Sequence, residues 1–360
     1  MSITAMSITA HLRDSVKLPG GAALISGPAL ERRGDGSRRA LLRQEGELAV
    51  HELDELFAGE RAPAAVFPLP WPGWRHGGQS VSPDGEFAVF AGQRAVRAVA
   101  RDGTTLWEYP HACWGHPSGH PHTGDAQEVC AGWEHGSCLV SDDGRLVWAH
   151  VASGSAAQDR REHWVVLDSR DGGEAARLPL RNSEASGSYQ LSHPDGAHIG
   201  LAIGMGQDGV LLHWARRDGA DLGSWGVNQD LDRILADVHP GHPGFLTVEH
   251  GGSDLRLHAL DGSVLARREP EQGEDEDPPC WDHDCGFVDA DTVLASTLDC
   301  ADDPADGRHW LLDARTLEIR GSVDYPGRPV DGYARPLGDG TWLTYDDANG
   351  TLERWSAAPM

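Results

Sequence analysis

Short runs of apolar and β-branched residues, separated by Asp-Gly turns, follow one another along most of the chain. Examples are EFAVFAG (86–92) after Asp84-Gly85 and RLVWAHVA (145–152) after Asp143-Gly144. Runs of this length bounded by turn residues are typical of strands, and an Asp-Gly pair between two of them predicts a β-hairpin. The pattern therefore predicts antiparallel sheet and no long helix.

The same turn recurs roughly every 40–60 residues, which indicates an internal repeat. Each repeat reads as strand, hairpin, strand, strand, strand. A four-stranded unit at this period is typical of a propeller blade. The markers are Asp35-Gly36, Asp84-Gly85, Asp143-Gly144, Asp195-Gly196, His250-Gly251, Asp291-Thr292 and Asp339-Gly340.

The motifs SPDG (82–85) and HPDG (193–196), with the strand pairs VVLDSRDGGEAARL and LLDARTLEIRG, resemble the WD40-like β-propeller superfamily. The predicted fold is all-β, one seven-bladed β-propeller over residues 1–360 with four-stranded antiparallel blades. The N-terminal strand ITAHLRDSVKL is expected to close the last blade. A β-sandwich with a second domain is the alternative. The blades are expected at 20–70, 71–110, 130–182, 184–232, 234–270, 280–327 and 329–360, with insertion loops at 111–132 and 271–280.

The net charge of the chain limits which classes of partner are expected. The formal net charge is −26, which repels nucleic-acid phosphate and anionic lipid, so neither is an expected partner. No apolar run reaches the ~20 residues of a membrane span. The N-terminus lacks the charged and apolar regions of a secretory signal. We therefore expect a cytoplasmic protein whose six cysteines are reduced thiols or metal ligands rather than a disulfide framework.

Histidines recur at one distance before the turn markers. Equal offsets on the inner strands of a propeller would place side chains in a ring around the axis. Four imidazoles there can bind one divalent ion, with Fe(II) or Cu(II) favoured and Zn as a further option. The position eight residues before each marker holds Gly27, His76, His135, Gly187, His242, His283 and Asp331.

Residues around this ring complete the predicted site. Gly27 and Gly187 would leave gaps through which a substrate approaches. Asp331 is read as a fifth ligand, a base or a hydrogen-bond partner. Structural histidines that bind nothing, and a metal-free acid–base pocket, are the alternatives. Tyr189, Tyr333 and Cys285 are expected beneath the metal, and Trp74, Trp133 and Trp281 are expected to wall the site.

Two further clusters have ligand-like spacing. A loop with His111, Cys113, His116, His120 and His122 fits either a separate zinc site or an irregular loop. Cys280, His283 and Cys285 are also close in sequence, but Cys280 would face the other side of a regular strand.

Three functions fit these residues. Four histidines on a propeller axis are similar to the iron site of carotenoid-cleaving oxygenases, which implies an oxidoreductase acting on a small apolar or aromatic metabolite. The same ion could serve a lyase, cyclase or hydrolase with a tyrosine as proton donor. The third function is a non-enzymatic WD40-like scaffold that binds a protein partner.

Overall fold

The computed structural model describes most of the chain, and its contacts divide the chain into two compact units. One unit comprises residues 23–226. The other, called the C-terminal unit below, comprises residues 1–22 with 227–360. The described residues are 6–19, 28–33, 36–114, 133–153, 161–181, 184–219, 221–227, 232–270, 279–298, 308–327, 330, 334–346 and 348–357.

The N-terminal strand β1 (Ser7–Lys17) belongs with the C-terminal unit and is followed in the chain by four antiparallel four-stranded sheets. The first sheet is β2 (Ala29–Arg32), β3 (Arg38–Gln44), β4 (Glu47–Glu52) and β5 (Ala65–Pro68), and the second is β6 (Gln79–Val81), β7 (Phe87–Ala91), β8 (Ala95–Ala100) and β9 (Thr105–Pro110). The third is β10 (Cys138–Val140), β11 (Leu146–Ser153), β12 (Arg161–Asp168) and β13 (Glu174–Leu180), and the fourth is β14 (Gly187–Ser192), β15 (His198–Gly204), β16 (Val210–Asp218) and β17 (Asp221–Val227).

The C-terminal unit contains one four-stranded and one nine-stranded sheet. The four-stranded sheet is β18 (Arg233–Val238), β19 (Gly244–Glu249), β20 (Leu255–Ala259) and β21 (Val264–Arg268). The larger sheet joins β1 to β22 (Cys280–Trp281), β23 (Gly286–Phe287), β24 (Thr292–Leu298), β25 (Arg308–Asp313), β26 (Ile319–Asp324), β27 (Ala334–Pro336), β28 (Thr341–Asp346) and β29 (Thr351–Ala357).

Helix is scarce in the part of the chain that the structure describes. A five-residue helix, α1 (Leu53–Phe57), follows β4, and a single 3₁₀ turn spans Gly206–Asp208. No helix among these residues is long and apolar enough to cross a bilayer. The all-β prediction is confirmed.

Side-chain hydrogen bonds hold the Asp-Gly hairpins. The Ser82 hydroxyl donates to Asp84 at 2.6 Å, and the Asp84 carboxylate accepts the backbone N–H of Glu86. Gly85 follows at φ +69°, a conformation that glycine adopts without steric cost. Ser141 and Asp143 repeat the same bond at 2.6 Å in the next sheet. The sequence marker therefore identifies a turn with its own bonding, as expected of Asx-type turns.

Apolar side chains lie between neighbouring sheets of each unit. In the 23–226 unit, one buried cluster joins the first sheet to the second through Phe67, Trp71 and Phe90. Further clusters join the second sheet to the third and the third to the fourth. In the other unit, Trp281 and Phe287 lie in the cluster that joins β19 and β20 to β24 and β25. Packing between adjacent small sheets is typical of propeller blades.

The N-terminal strand joins strands from the end of the chain. β1 first pairs parallel with β26 through Ser7–Thr9, and then antiparallel with β29 through Ala10–Lys17. Ala10, 1% exposed, packs in a cluster with Trp342 and Trp355. β1 therefore adds a fourth strand to the group β27–β28–β29.

Substituting Ala10→Asp should lower the free energy of unfolding by about 3 kcal/mol or more, because it buries a carboxylate among tryptophans. Leu12→Ser is the matched control on the same strand, because Leu12 is 50% exposed, and a change below ~0.5 kcal/mol is expected. Urea unfolding followed by far-UV circular dichroism measures both. Equal stabilities would show that β1 contributes little to the fold.

Glu31 makes stability depend on pH. Burial raises its pKa from 4.5 to about 7, although hydrogen bonds from Ser80 and the Val81 N–H and the charges of Arg39 and Arg33 oppose the shift. The folded state thus binds this proton more tightly than the unfolded chain. The contribution to stability is complete below the unfolded pKa and is lost as pH rises through the folded one.

Glu31→Gln should therefore flatten the stability profile between pH 4.5 and about 7. At about pH 8 the variant should be more stable than the parent by ~1–3 kcal/mol. Glu47→Gln, on exposed β4 surface, is the control and should leave the profile unchanged. Denaturation at a series of pH values checks this, and parallel parent and Glu31→Gln curves would contradict it.

Candidate functional site

His76 and His135, two of the predicted metal ligands, lie side by side in the 23–226 unit. Each sits in the loop just before β6 or β10 rather than on the strand. Their ring centroids are 6.4 Å apart and the rings are inclined by 30°. His135 Nδ1 donates to the Trp133 carbonyl at 2.8 Å. Burial lowers the pKa of His135, and His76 lowers it further, although the Trp133 carbonyl opposes the shift. The lowered pKa favours the neutral form of the His135 imidazole.

Gly187, where a substrate gap is expected, lies beside His135 of this pair. A Cβ atom at Gly187 would lie 2.9 Å from Cε1 of His135. The imidazole of His135 thus fills the space that the missing side chain creates. The glycine therefore accommodates the neighbouring ring, and the substrate gap at Gly187 stays a prediction.

His242 lies in the turn between β18 and β19 and not on an inner strand. That turn is closed by the His239 N–H donating to the Gly244 carbonyl at 2.9 Å, as the Ser82 N–H does to Phe87. His250-Gly251, the predicted marker of this repeat, instead follows β19. Because this pair is not the turn equivalent to the other markers, the position eight residues before it does not lie on an inner strand. The predicted position of His242 on an inner strand is therefore wrong. The His242 ring packs against His239, with centroids 4.7 Å apart.

His283 lies between β22 and β23, two short strands that both pair with β24. Cys280–Trp281 pairs with Thr297–Leu298, and Gly286–Phe287 pairs with Val293–Leu294, so the chain makes a detour between them. Exposed His283 donates from Nε2 to the His250 carbonyl at 3.1 Å. Equal sequence offsets therefore do not give equal positions here. A four-histidine metal site, which would draw on both units, stays a prediction.

The three tryptophans expected to wall the site have different environments. Trp74 is 2% exposed and packs on Trp71 and Phe90 beneath the Arg43 guanidinium. Trp281 is also 2% exposed, inside a core cluster. Trp133 alone of these three is at the surface, 67% exposed. Trp74 and Trp281 are core residues, and their predicted role in a site wall is wrong.

Two of the residues predicted beneath the metal, Tyr189 and Cys285, belong to different units. Tyr189 lies on β14 and is 40% exposed. Cys285 is buried in the core of the C-terminal unit, and burial raises the pKa of its thiol well above the ordinary value. That thiol is held protonated and inert. Gly27, Asp331 and Tyr333 lie outside the described residues.

The cysteine and loop predictions have mixed outcomes. Cys113, Cys138 and Cys285 are free thiols, whereas Cys280 is disulfide-bonded, so the expectation of reduced thiols is wrong for Cys280. Disulfides persist mainly in oxidising compartments, and the cytoplasmic location stays a prediction. In the His-rich loop, burial lowers the pKa of His111 to about 4. His116, His120 and His122, like residues 271–278 of the second insertion, lie outside the described residues.

One group among the described residues has the composition and spacing of a metal site. Ligand atoms of His193, Asp195 and His198, on the hairpin between β14 and β15, all lie within 4.8 Å of one another. Asp195 Oδ2 is 2.6 Å from His198 Nδ1 and 3.1 Å from His193 Nδ1. Burial alone would raise the pKa of Asp195. Hydrogen bonds from the Ala197 N–H, the His198 ring and the His198 N–H outweigh it and lower the pKa to about 2.

A buried polar network, which sequence reasoning missed, links the third and fourth sheets. His150 Nε2 and Glu162 Oε2 are 3.1 Å apart with both side chains fully buried. His150 Nδ1 lies 2.9 Å from the Ser188 hydroxyl, and Glu162 Oε1 accepts the Ala185 N–H at 2.9 Å. The Trp114 ring packs edge-on against His150, with ring centroids 5.0 Å apart. No spacing in the sequence marks this contact, because its members come from strands about forty residues apart.

Comparison with solved structures shows a β-propeller fold. The β-propeller domain of Cps50 (Swd1) from Myceliophteria thermophila matches with a TM-score of 0.55 at 12% identity, covering 96% of this chain and 100% of that one. BamB from Moraxella catarrhalis matches with a TM-score of 0.50 at 12% identity, covering 96% and 97%. Prolyl oligopeptidase B from Galerina marginata matches with 0.55 at 11% identity, covering 89% of this chain and 47% of that one. No protein-family model matches, and no curated protein matches.

Substituting Glu162→Ala should destabilise the protein by ~3–5 kcal/mol, because it removes the buried partner of both His150 and the Ala185 N–H. Glu174→Ala on β13 is the matched control. Its ion pair with Arg177 is about a third exposed, so a cost below ~1 kcal/mol is expected. Chemical denaturation compares the two variants. A cost for Glu162→Ala no larger than that of the control would show that the network is dispensable.

Proposed function

We propose that this chain is a non-enzymatic, seven-bladed β-propeller scaffold that binds a protein partner through the surface around Trp133. The five four-stranded sheets supply five blades, and the nine-stranded sheet supplies two, with β1 as the fourth strand of the last. The propeller architecture supports this proposal, since rings of this kind offer loop-built surfaces for recognition.

The observation that carries the proposal is the exposure of Trp133. Its side chain is 67% exposed, in contrast to the nearly complete burial of Trp74 and Trp281. Trp is enriched at the energetic centres of protein interfaces, where burial on binding recovers the hydrophobic free energy lost to exposure. The Trp133 backbone is held by the bond from His135, whose ring rests on Gly187. The backbone that carries the indole is therefore held by contacts within the unit.

The partner surface around Trp133 is mixed in character. Tyr189, 40% exposed, follows Gly187 on β14 and adds a second aromatic ring to the same part of the unit. Glu134, beside Trp133, adds a half-buried carboxylate. The formal net charge of −26 favours association with cationic surfaces. An Arg or Lys side chain can also stack on an exposed indole. The proposed partner is accordingly a protein with an Arg- or Lys-rich segment.

The positions of the other candidate residues support the scaffold over a metal-dependent oxidoreductase, lyase, cyclase or hydrolase. An enzyme site as predicted needs Trp74 and Trp281 to wall a substrate pocket and Cys285 to lie beneath a metal ion. All three are at most 2% exposed, in cores between sheets. The exposed Trp133 and Tyr189 side chains beside the His135 imidazole can bind a partner without making or breaking covalent bonds.

Substituting Trp133→Ala should weaken binding of Arg- and Lys-rich peptides about tenfold or more, because truncating an aromatic residue at the energetic centre of an interface typically costs ~2 kcal/mol or more. Fluorescence polarisation with a labelled peptide set, cationic and acidic, measures the dissociation constants. Leu265→Ala is the control, since Leu265 is 60% exposed on β21 of the other unit, and it should bind as the parent does.

Salt provides a second readout for this proposal. Raising ionic strength from about 0.05 to 0.5 M should weaken cationic-peptide binding in the parent, because screening shortens the reach of the acidic surface. Tighter binding of acidic than of cationic peptides would contradict the partner chemistry. Equal dissociation constants for Trp133→Ala and the parent would overturn the proposed surface.

A further inference from the structure

The hairpin between β14 and β15 differs from its two sister hairpins at the two positions that face its carboxylate. In the sisters, a serine donates its hydroxyl to the turn aspartate at 2.6 Å, as Ser82 does to Asp84 and Ser141 to Asp143. His193 stands where these have serine. Backbone hydrogen bonds of 2.9 Å close all three hairpins alike, and they place His198 where the sisters have Phe87 and Leu146. The turn therefore forms without either imidazole.

The two imidazoles approach one carboxylate oxygen from different directions. His198 Nδ1 is 2.6 Å and His193 Nδ1 is 3.1 Å from Asp195 Oδ2. The rings are nearly perpendicular, at 89°, with centroids 6.1 Å apart. Two nitrogens and one oxygen thus converge on a small volume, with the carboxylate and His198 partly accessible to solvent.

The burial of His193 is not explained by the turn. The residue is 3% exposed, and its Nε2 atom has no hydrogen-bond partner among the described residues. A buried nitrogen without a partner is destabilising, and the serine of the sister hairpins avoids that cost. Trp214 packs edge-on against His193 and Trp225 against His198, with centroids 6.0 and 5.7 Å away. The aromatic packing fixes the rings in place.

We propose that His193, Asp195 and His198 form a binding site for one divalent transition-metal ion of the zinc class. Two imidazoles and one carboxylate are ligands that Zn²⁺, Co²⁺ and Ni²⁺ share, and three protein ligands leave a coordination position open. His193 Nδ1 now accepts the Asp195 N–H at 3.2 Å, and a metal bond at this nitrogen replaces that contact. The site is separate from the four-histidine ring and from the Trp133 surface.

The test uses the full chain without a polyhistidine tag, stripped with chelator and titrated with Co²⁺ and Zn²⁺. Cobalt absorption and calorimetry give stoichiometry and affinity. The variant His193→Ser/His198→Leu recreates the residues of the sister hairpin at Ser141 and Leu146. It should fold as the parent does, by circular dichroism, yet bind Co²⁺ and Zn²⁺ at least about 100-fold more weakly. Thermal stability should rise with Zn²⁺ for the parent only.

A matched double variant, His76→Ala/His135→Ala, removes the other close histidine pair of the same unit and should bind the ions as the parent does. Asp195→Asn, which keeps an oxygen for the turn, should weaken binding about tenfold or more. The proposal is overturned if the parent binds neither ion below about millimolar concentration. It is also overturned if the serine–leucine variant binds as tightly as the parent, or if only the His76/His135 variant loses the ion.

Discussion

The packing of each small sheet against the next is the constraint on which the rest of this protein depends. A four-stranded sheet that is apolar on both faces cannot bury them by itself, and the described cores lie between neighbouring sheets. Stability is therefore shared along each unit rather than concentrated in one centre. The N-terminal strand takes part in this packing at the end of the chain. β1 pairs with both β26 and β29 and places Ala10 among the tryptophans of the final cluster.

Dense packing between sheets also buries several of the histidines. His150, His258 and His309 are at most 2% exposed, each bonded to a neighbouring side chain. Burial lowers the pKa of His258 to about 4, and the Arg233 and Arg256 charges add to the shift, so this ring is neutral at physiological pH. These rings satisfy polar groups inside the sheets. A high histidine content in a chain of this architecture is thus compatible with a mainly structural use.

The two binding sites proposed in the 23–226 unit depend on different interactions. The Trp133 surface depends on an apolar ring left in water and on the acidic character of the chain. The hairpin of His193, Asp195 and His198 depends on three donor atoms gathered by a local turn. The two groups share no residue, so a substitution can remove one without changing a residue of the other. A scaffold can carry a metal-bearing hairpin without the metal taking part in partner binding.

The sequence by itself determined what local chemistry controls: all-β structure, repeated four-stranded units and the Asp-Gly hairpins, whose bonds form between residues a few positions apart. It did not determine which side chains meet. Counting fixed offsets failed at His242, because His250-Gly251 imitates a marker at a later turn, and at His283, because the detour between β22 and β23 breaks the register. Whether a tryptophan joins a core, like Trp74, or stays in water, like Trp133, depends on the neighbouring sheet. The contact of His150 with Ser188 likewise exists only once two sheets pack, since long-range packing leaves no periodic trace in the chain.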